Sequence, residues 1–290
     1  MDRIGIAGVG LMGHGIALNV LRGGWPLVYL DHPGNQPVED LAALGATGVA
    51  SGRALAEECT IVLLCVTGSP QVEDVLTRED GVLAGLRPNA TVIDCSTSVP
   101  ATTARMAARV ASAGGRFLDA PMTRTPKEAA EGRLNLIVGG EAALLEAHRP
   151  LLESFAENIF HAGPIGAGHT MKLMHNFVSL GFATLLAEAA AAANTAGIAP
   201  EAFHEVLARG GGGGAALDRL APYVLRKDPS GLRFTLSNAL KDLSYYTEMC
   251  DDLGAQDGIA EAIRAMLGGQ VEAGNGADLI PALVDLLAQD

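Results

Sequence analysis

The chain has 290 residues, of which 49% are hydrophobic and 18% are charged, and this composition is typical of a globular protein rather than a disordered one. The net charge of −13 at pH 7 argues against a nucleic-acid-binding surface, because phosphate contacts need clustered lysines and arginines. The expected partners are therefore small molecules or further copies of the chain.

Short apolar runs alternate with helical patterns from Arg3 to about His161. The predicted strands are Ile4–Ala7, Leu27–Leu30, Ile61–Val66, Thr91–Asp94, Phe117–Asp119, Leu136–Val138 and Ile159–Phe160. Strands that alternate with helices favour a mostly parallel sheet with both faces covered. The sequence therefore predicts an α/β Rossmann-type, doubly wound sheet in a dinucleotide-binding domain over residues 1–162.

After Gly163 the chain shows only helical periodicity, which predicts an all-α C-terminal domain over residues 163–290. A proline-free run from about Ala167 to Ala196 predicts a helix of roughly 40–45 Å, at ~1.5 Å per residue. We expect this helix to bridge the domains and to offer a surface for a homodimer or homotetramer. Further helices are predicted at Pro200–Ala208, Ser237–Asp252, Gly258–Leu267 and Leu279–Ala288, with a loop at Gly210–Gly214.

The longest apolar stretch, Phe177 to Ala199, contains Glu188 and Asn194 and is rich in alanine. These features favour a buried helix over a membrane span. The four cysteines form no Cys-x-x-Cys pair, so we expect neither a metal site nor a disulfide framework. A reducing cytoplasm is the expected compartment.

A glycine-rich turn directly follows the first predicted strand and opens a helix. Its sequence is Gly8-Val9-Gly10-Leu11-Met12-Gly13, and its position separates a phosphate-binding turn from a chance match. We expect Gly8 to make the tight turn, Gly10 to let the backbone approach the pyrophosphate, and Gly13 to let helix and strand pack closely. The alternative is a glycine-rich turn without a ligand.

Asp31 ends the second predicted strand, where a carboxylate can accept hydrogen bonds from the adenosine ribose. A carboxylate repels a 2′-phosphate, and no arginine or lysine follows within twenty residues. The sequence therefore predicts NAD as the cofactor, with NADP as the alternative. An aspartate in an exposed turn is the other interpretation of this residue.

A lysine in the long apolar helix is a candidate acid/base, because lysine loses its proton when burial lowers its pKa, whereas arginine stays protonated. Lys172, His175, Asn176 and Ser179 stand at helical spacing and form one polar stripe. We expect the stripe to line a cleft. The alternative is the solvated face of a surface helix.

Several motifs occur in the order and spacing found in the β-hydroxyacid dehydrogenase family. They are the glycine-rich turn, Asp119-Ala120-Pro121-Met122-Thr123, Gly166-Ala167-Gly168 with Lys172-Leu173-Met174-His175-Asn176, and Lys241-Asp242. The chain resembles this family over nearly its whole length. The family includes 3-hydroxyisobutyrate dehydrogenases, tartronate semialdehyde reductases and sulfolactaldehyde reductases, so the resemblance implies hydride transfer between NAD and a small anionic 3-hydroxy acid or its semialdehyde.

The resemblance also implies roles for individual residues. Lys172 is the implied acid/base, and Asn176 holds the substrate and the lysine. The implied cofactor contacts are the turn residues Gly8, Gly10, Leu11, Met12 and Gly13, together with Asp31, Val66, Thr67, Ser96, Thr97 and Lys241. The implied substrate contacts are Ser96, Thr123, Arg124, Thr125, Lys172, His175, Asn176 and Lys241.

The chain departs from the family pattern at two places. Thr123-Arg124-Thr125 stands where many members have Ser-Gly-Gly, and this arginine is similar to the sulfolactaldehyde reductase branch. We expect Arg124 to bind the substrate's anionic group; the alternative is a solvent-facing arginine or a pair with Glu128. His175 replaces a usual asparagine, which implies altered substrate contacts.

Two other functions compete with this one, an imine reductase-like enzyme and a non-catalytic NAD-binding scaffold. Relatives of both kinds usually lack the catalytic lysine, so Lys172 argues against each.

Overall fold

The apolar runs in the first part of the chain form one nine-stranded sheet in the computed structural model, which describes residues 2–288. The strands are β1 (Ile4–Ala7), β2 (Leu27–Leu30), β3 (Thr47–Val49), β4 (Ile61–Leu64), β5 (Thr91–Asp94), β6 (Arg116–Asp119), β7 (Met122–Thr123), β8 (Leu134–Gly139) and β9 (Ala156–Gly163). Their order is β3-β2-β1-β4-β5-β6-β8-β7, and β9 pairs with β8.

The first six strands pair in parallel, and β8 runs antiparallel to β6 and β7. An order of 3-2-1-4-5-6 is that of a dinucleotide-binding Rossmann sheet. The predicted fold class is confirmed.

Helices cover both faces of this sheet. They are α1 (Leu11–Arg22), α2 (Glu39–Ala43), α3 (Gly52–Glu58), α4 (Ser69–Thr77), α5 (Val82–Gly85), α6 (Pro100–Ser112), α7 (Pro126–Ala130) and α8 (Ala142–Leu152). Side chains alternate along each strand, so Ile61 and Leu63 of β4 join one buried cluster with α1, whereas Val62 and Leu64 join a second cluster with α3 and α6. Burial on both faces explains why these strands read as continuous apolar runs.

Trp25, the single tryptophan of the chain, lies just before β2. Its side chain is half-buried and packs against the cluster that includes α1. Its backbone amide donates to the Val20 carbonyl at 3.2 Å, and this hydrogen bond closes the turn after α1.

Helix α9 (Ala167–Thr195) is the predicted long helix. Its 29 residues and mean hydropathy of 1.4 would suit a membrane span, but 56% of its most apolar window is buried in the protein. This burial is typical of a core helix. The chain divides into two compact units, one ending at Lys172 and one beginning at Leu173; the predicted boundary between residues 162 and 163 stays a prediction.

Burial along α9 runs against simple amphipathic expectation. Lys172 and Asn176 are buried, whereas four apolar side chains of the helix are exposed. These four, the apolar stripe, are Met171, Met174, Val178 and Leu185. At 100° per residue they lie within about 60° of one another around the helix axis.

The second unit is built from helices. They are α10 (Pro200–Arg209), α11 (Ala215–Arg226), α12 (Leu236–Leu253), α13 (Gly258–Gln270) and α14 (Leu283–Leu286), with short 3₁₀ turns at Pro229–Gly231 and Ile280–Ala282 and a π-helical turn at Val271–Asn275. Leucines and alanines of α9, α11 and α12 form its core, and Phe177 stacks on Tyr246 with ring centroids 4.4 Å apart.

Two elements of this unit differ from the prediction. Helix α11 was not predicted, because Pro222 lies inside it and proline is a strong helix-breaking signal. The helix forms nevertheless, since Leu217, Leu220 and Val224 bury one apolar face. The predicted helix Leu279–Ala288 is shorter, with a 3₁₀ turn that contains a proline followed by one turn of α-helix. The Gly210–Gly214 segment is a loop, as predicted.

Candidate functional site

The predicted cofactor residues of the first unit collect at one edge of its sheet. Strand register places Ala7, Leu64, Asp94 and Asp119, the last residues of four parallel strands, in one row. The residues that follow these strands therefore share the carboxyl edge, where open α/β sheets bind their ligands. The predicted contacts at or next to this edge are Gly8, Gly10, Leu11, Met12, Gly13, Asp31, Val66, Thr67, Ser96 and Thr97. The predicted substrate contacts Thr123, Arg124 and Thr125 lie at the end of β7 and directly after it.

The glycine-rich turn leaves no room for side chains at two positions. Gly8 has φ +99, and a Cβ atom there would lie 2.2 Å from the Cys65 carbonyl oxygen. A Cβ atom at Gly13 would lie 1.9 Å from the Gly8 carbonyl oxygen. Both contacts are with backbone, so neither is relieved by a side-chain movement. The backbone of the turn therefore requires glycine at both positions.

Helix α1 begins directly after Gly10, and no side chain caps its first turn. The first turn also contains no acidic residue. The amides at this end, with Leu11 and Met12 as the first helical residues, have no intrahelical partner and lie at the positive end of the helix dipole. The turn therefore fits a dinucleotide pyrophosphate.

Asp31 is exposed immediately after β2, and its backbone amide donates to the Val49 carbonyl at 2.8 Å. The next loop is tied to the glycine-rich turn, because the Asn35 side-chain oxygen accepts from the Val9 amide at 3.2 Å. The Asn35 side-chain nitrogen donates to the Leu30 carbonyl at 3.0 Å. These bonds hold the Asp31 backbone near the turn.

Ser96 is buried, and its hydroxyl accepts from the Val66 amide at 3.0 Å. Its own amide donates to Asp94 Oδ1 at 2.9 Å. The neighbouring Thr97 is half-buried and Thr67 is exposed. Ser96 thus joins the ends of β4 and β5, while the neighbouring Thr67 and Thr97 are more accessible to a ligand.

A fully buried polar cluster lies beneath this edge. It consists of Asp94, Asp119 and His169, which are all 0% exposed. The His169 Nε2 atom lies 3.9 Å from Asp94 Oδ2, and Nδ1 lies 3.8 Å from Asp119 Oδ2. Burial raises the pKa of Asp94, while the nearby His169 opposes that rise and Asp119 adds to it. Sequence reasoning did not identify this cluster.

Asp119 fixes the start of helix α9. Its Oδ1 atom accepts from the Gly166 amide at 2.8 Å, and its Oδ2 atom accepts from the His169 amide at 2.9 Å. A Cβ atom at Gly168 would lie 2.7 Å from Asp119 Oδ2, so only glycine fits beside the carboxylate. Lys172 follows one helical turn after His169 and is 8% exposed.

The second unit contains the other predicted residues. The Asn176 side-chain nitrogen donates to Asp242 Oδ2 at 2.5 Å, and both side chains are buried. This bond turns Asn176 Oδ1 toward His175, whose Nδ1 atom lies 3.0 Å away. Lys241 Nζ lies 3.2 Å from Asp242 Oδ1 and 5.4 Å from the Tyr245 ring centroid. Asp242, quoted only as part of a motif, therefore holds Asn176 and Lys241 together.

Arg124 contacts protein groups. Its guanidinium donates to the Arg133 carbonyl and to Glu157, while its backbone has φ +85. Such a conformation favours glycine, which accounts for glycine in the family pattern near this position. Glu128, the partner considered from the sequence, instead bonds Thr125.

The two threonines beside this arginine also have protein partners. The Thr123 hydroxyl accepts from the Asn135 side chain at 3.1 Å. Thr125 is the N-cap of α7 and forms a capping box with Glu128. Thr123 is half-buried and Thr125 is exposed.

Metal and thiol chemistry find no support in the arrangement of side chains. Within residues 2–288, no group of three or more His, Cys, Asp or Glu side chains is placed to hold a metal ion. The four cysteines carry free thiols. Burial raises the pKa of Cys59 and of Cys65 to about 12, so neither supplies a thiolate near neutral pH.

Two family models cover the chain in succession. Residues 3–163 match the NAD-binding domain of 6-phosphogluconate dehydrogenase. Residues 166–287 match the NAD-binding region of NADP-dependent 3-hydroxyisobutyrate dehydrogenase.

Two relatives from Pseudomonas aeruginosa match across both units. An NAD-dependent L-serine dehydrogenase is 34% identical over 77% of this chain and 74% of its own. A 3-hydroxyisobutyrate dehydrogenase is 33% identical over 91% of this chain and 87% of its own.

Solved structures show the same fold. The Mycobacterium tuberculosis 3-hydroxyisobutyrate dehydrogenase with L-serine matches with a TM-score of 0.88 and 26% identity, over 99% of each chain. An imine reductase from Myxococcus stipitatus with NAD+ matches with a TM-score of 0.63 and 22% identity, over 99% of each chain.

Proposed function

Because the chain belongs to the β-hydroxyacid dehydrogenase family, we propose that it transfers a hydride between NAD and a small anionic 3-hydroxy acid or its semialdehyde. Substrates of the 3-hydroxyisobutyrate, tartronate semialdehyde or sulfolactaldehyde type fit this description. L-serine, named for two of the matches, is also a small 3-hydroxy acid. The observation that carries the proposal is the buried Lys172, one turn beyond a helix start that Asp119 fixes at the carboxyl edge.

Lys172 is the proposed acid/base. During reduction its ammonium group donates a proton to the substrate's carbonyl oxygen as a hydride reaches the carbonyl carbon. During oxidation the neutral amine accepts the hydroxyl proton. Bound NAD supplies the hydride acceptor, and its reduced form supplies the donor. Arginine would not serve here, because it stays protonated throughout.

Asn176 is the proposed partner of Lys172 in holding substrate, and Asp242 fixes its orientation. The bond from Asn176 Nδ2 to Asp242 leaves Asn176 Oδ1 facing the side of His175. An amide held in this way presents an oxygen acceptor without reorientation when substrate binds. Lys241, paired with Asp242, is the proposed contact to cofactor and substrate.

The two competing functions receive less support. The imine reductase match has a lower TM-score than the 3-hydroxyisobutyrate dehydrogenase match, and at 22% identity it speaks only to fold. A non-catalytic scaffold has no need for a buried lysine, whose burial is costly unless compensated. Lys172 thus favours the dehydrogenase over both alternatives.

The cytoplasm is the proposed location, consistent with four free thiols. Cell fractionation tests this, since activity in a membrane or secreted fraction would contradict it.

Lys172→Ala is expected to lower kcat by about 10²–10⁴, because acid/base catalysis typically contributes that much. The dissociation constant for NAD is expected to stay unchanged, since the lysine does not hold the dinucleotide. Lys127→Ala, an exposed lysine on α7, is the matched control. Turnover is followed by absorbance of the reduced nicotinamide over a panel of 3-hydroxy acids that includes L-serine and sulfonates. Near-normal kcat in the alanine variant would refute the assignment.

Asp31 is proposed to select NAD by accepting ribose hydrogen bonds and repelling a 2′-phosphate. Asp31→Asn is expected to raise the ratio of kcat/KM with NADP to that with NAD by at least about tenfold, or about 1.4 kcal/mol. Glu58→Gln controls for net charge, because it removes a carboxylate on α3 that pairs with Arg3. A wild-type preference for NADP would show that the interpretation of Asp31 is wrong.

Arg124 is proposed to bind the substrate's anionic group, in competition with its observed pairing with Glu157. Arg124→Gly is expected to raise KM for the anionic substrate at least about tenfold, the lower end of a lost charge-assisted bond of roughly 1.5–3 kcal/mol. Glu157→Gln frees the guanidinium and is expected to leave KM unchanged or lower it. If KM for carboxylates and sulfonates is the same in Arg124→Gly and wild type, Arg124 serves only the surface pair, worth about 0–1 kcal/mol.

A homodimer or homotetramer is proposed because the apolar stripe of α9 is exposed in a single chain. Val178→Asp places a charge in the stripe and is expected to shift the protein toward monomer in sedimentation velocity. Asn194→Asp adds the same charge on the opposite side of the helix, nine positions from Leu185, and should leave the oligomer intact. A monomeric wild type at micromolar concentration would contradict the proposal.

A further inference from the structure

The imidazole of His169 contacts two different elements of the first unit, one at each ring nitrogen. Nε2 lies 3.1 Å from the Ser96 carbonyl oxygen, in the segment after β5. Nδ1 lies 2.7 Å from the Thr103 hydroxyl on α6. All three residues are buried, so no solvent competes for these bonds. His169 itself belongs to α9, which makes it the meeting point of three elements.

The two ring nitrogens have partners of different kinds, a carbonyl oxygen and a hydroxyl. A carbonyl oxygen only accepts, so Nε2 carries a proton and donates it to Ser96. Nδ1 lies 2.7 Å from the Thr103 hydroxyl, which itself donates to the Val99 carbonyl at 3.2 Å. The Val99 carbonyl already accepts from the Thr103 amide at 3.1 Å. The ring therefore needs a donor at Nε2 and a hydrogen-bonding atom at the position of Nδ1.

The Ser96 segment and the start of α9 are each held from another side as well. The Ser96 hydroxyl accepts from Val66, and its amide donates to Asp94. The His169 amide donates to Asp119. Among the hydrogen bonds described for His169, the one from the imidazole to the Ser96 carbonyl directly joins the Ser96 segment to the start of α9.

We infer that His169 is a positioning residue that sets the distance between the Ser96 segment and Lys172. The Ser96 segment is the proposed cofactor contact, and Lys172 is the proposed acid/base. The inference rests on the proposed function for the meaning of that separation, but the link itself does not depend on it. His169 is fully buried in the cluster and acts through its neighbours. A displacement of about 1 Å between reacting groups lowers rate by about 10²-fold.

A glutamine and an asparagine at position 169 separate positioning from simple space filling. The side-chain nitrogen of glutamine reaches about as far as Nε2 and restores the donor to Ser96. The shorter asparagine reaches only as far as Nδ1 and leaves the Ser96 carbonyl without that donor. Both side chains are polar and smaller than histidine. If His169 only fills space, the two variants are therefore expected to have similar kcat.

The test compares His169→Gln and His169→Asn with wild type in steady-state kinetics. The asparagine variant is expected to lose about 10- to 100-fold in kcat while the dissociation constant for NAD and KM for substrate stay within about twofold. The glutamine variant is expected to keep kcat within about threefold of wild type. Equal losses in the two variants, or a loss confined to KM, would overturn the positioning role.

Hydrogen exchange measured by mass spectrometry gives a second readout that needs no turnover. Peptides that cover residues 94–99 and 166–172 are expected to exchange faster in His169→Asn than in His169→Gln. Unchanged exchange in the asparagine variant would overturn the link. If wild type turns over no 3-hydroxy acid, or Lys172→Ala stays active, the proposed function fails while the exchange result still decides the link.

Thr103→Val provides a further variant if His169→Asn does not fold. It removes the hydroxyl that Nδ1 contacts and leaves His169 in place, so the ring keeps its bond to Ser96 but loses its second partner. We expect kcat to fall about 3- to 10-fold with unchanged affinity for NAD, a smaller loss than full displacement would cause. Wild-type kcat in this variant would show that the ring needs no fixed orientation and would overturn the inference.

Discussion

The carboxylate of Asp119 accepts hydrogen bonds from the Gly166 and His169 amides, and these two bonds join the start of helix α9 to the carboxyl edge of the sheet. Amides at a helix start lack intrahelical partners and carry partial positive charge, so they compensate a buried carboxylate. The helical repeat then determines where Lys172 lies relative to that edge. The Asp119 side chain thus fixes the position of Lys172 relative to the sheet.

The strands that the sequence predicts to the residue, such as Ile4–Ala7 and Thr91–Asp94, are buried on both faces. The short edge strand Thr47–Val49 was missed because it contains a glycine and two exposed residues, which give no apolar run. Helix α11 was missed because Pro222 outweighed its apolar spacing. Local composition predicts an element well where the whole element is buried, because burial favours apolar residues. It predicts poorly where packing against distant residues stabilises a helix despite a helix-breaking residue.

The site shows the same division. Residues after parallel strands meet at one edge, and the sequence predicted three contacts there: Gly8 from the glycine-rich turn, Asp31 from its place after the second strand, and Ser96 through the family resemblance. Side-chain pairing across long sequence separations leaves no local signal. Arg124 pairs with Glu157, which lies 33 positions away in the sequence, and His169 forms a hydrogen bond with Ser96, which lies 73 positions away. Such partners follow from the folded arrangement of strands and loops, which no motif encodes.

The position of Trp25 has a spectroscopic consequence. As the single tryptophan, half-buried against the core that includes α1, it makes indole fluorescence a reporter of the first unit. Far-ultraviolet circular dichroism, in contrast, averages over helices of both units. Denaturation curves recorded by the two signals on one sample coincide when the units unfold together and separate when they do not. The chain thus carries an intrinsic probe for cooperativity between its two halves.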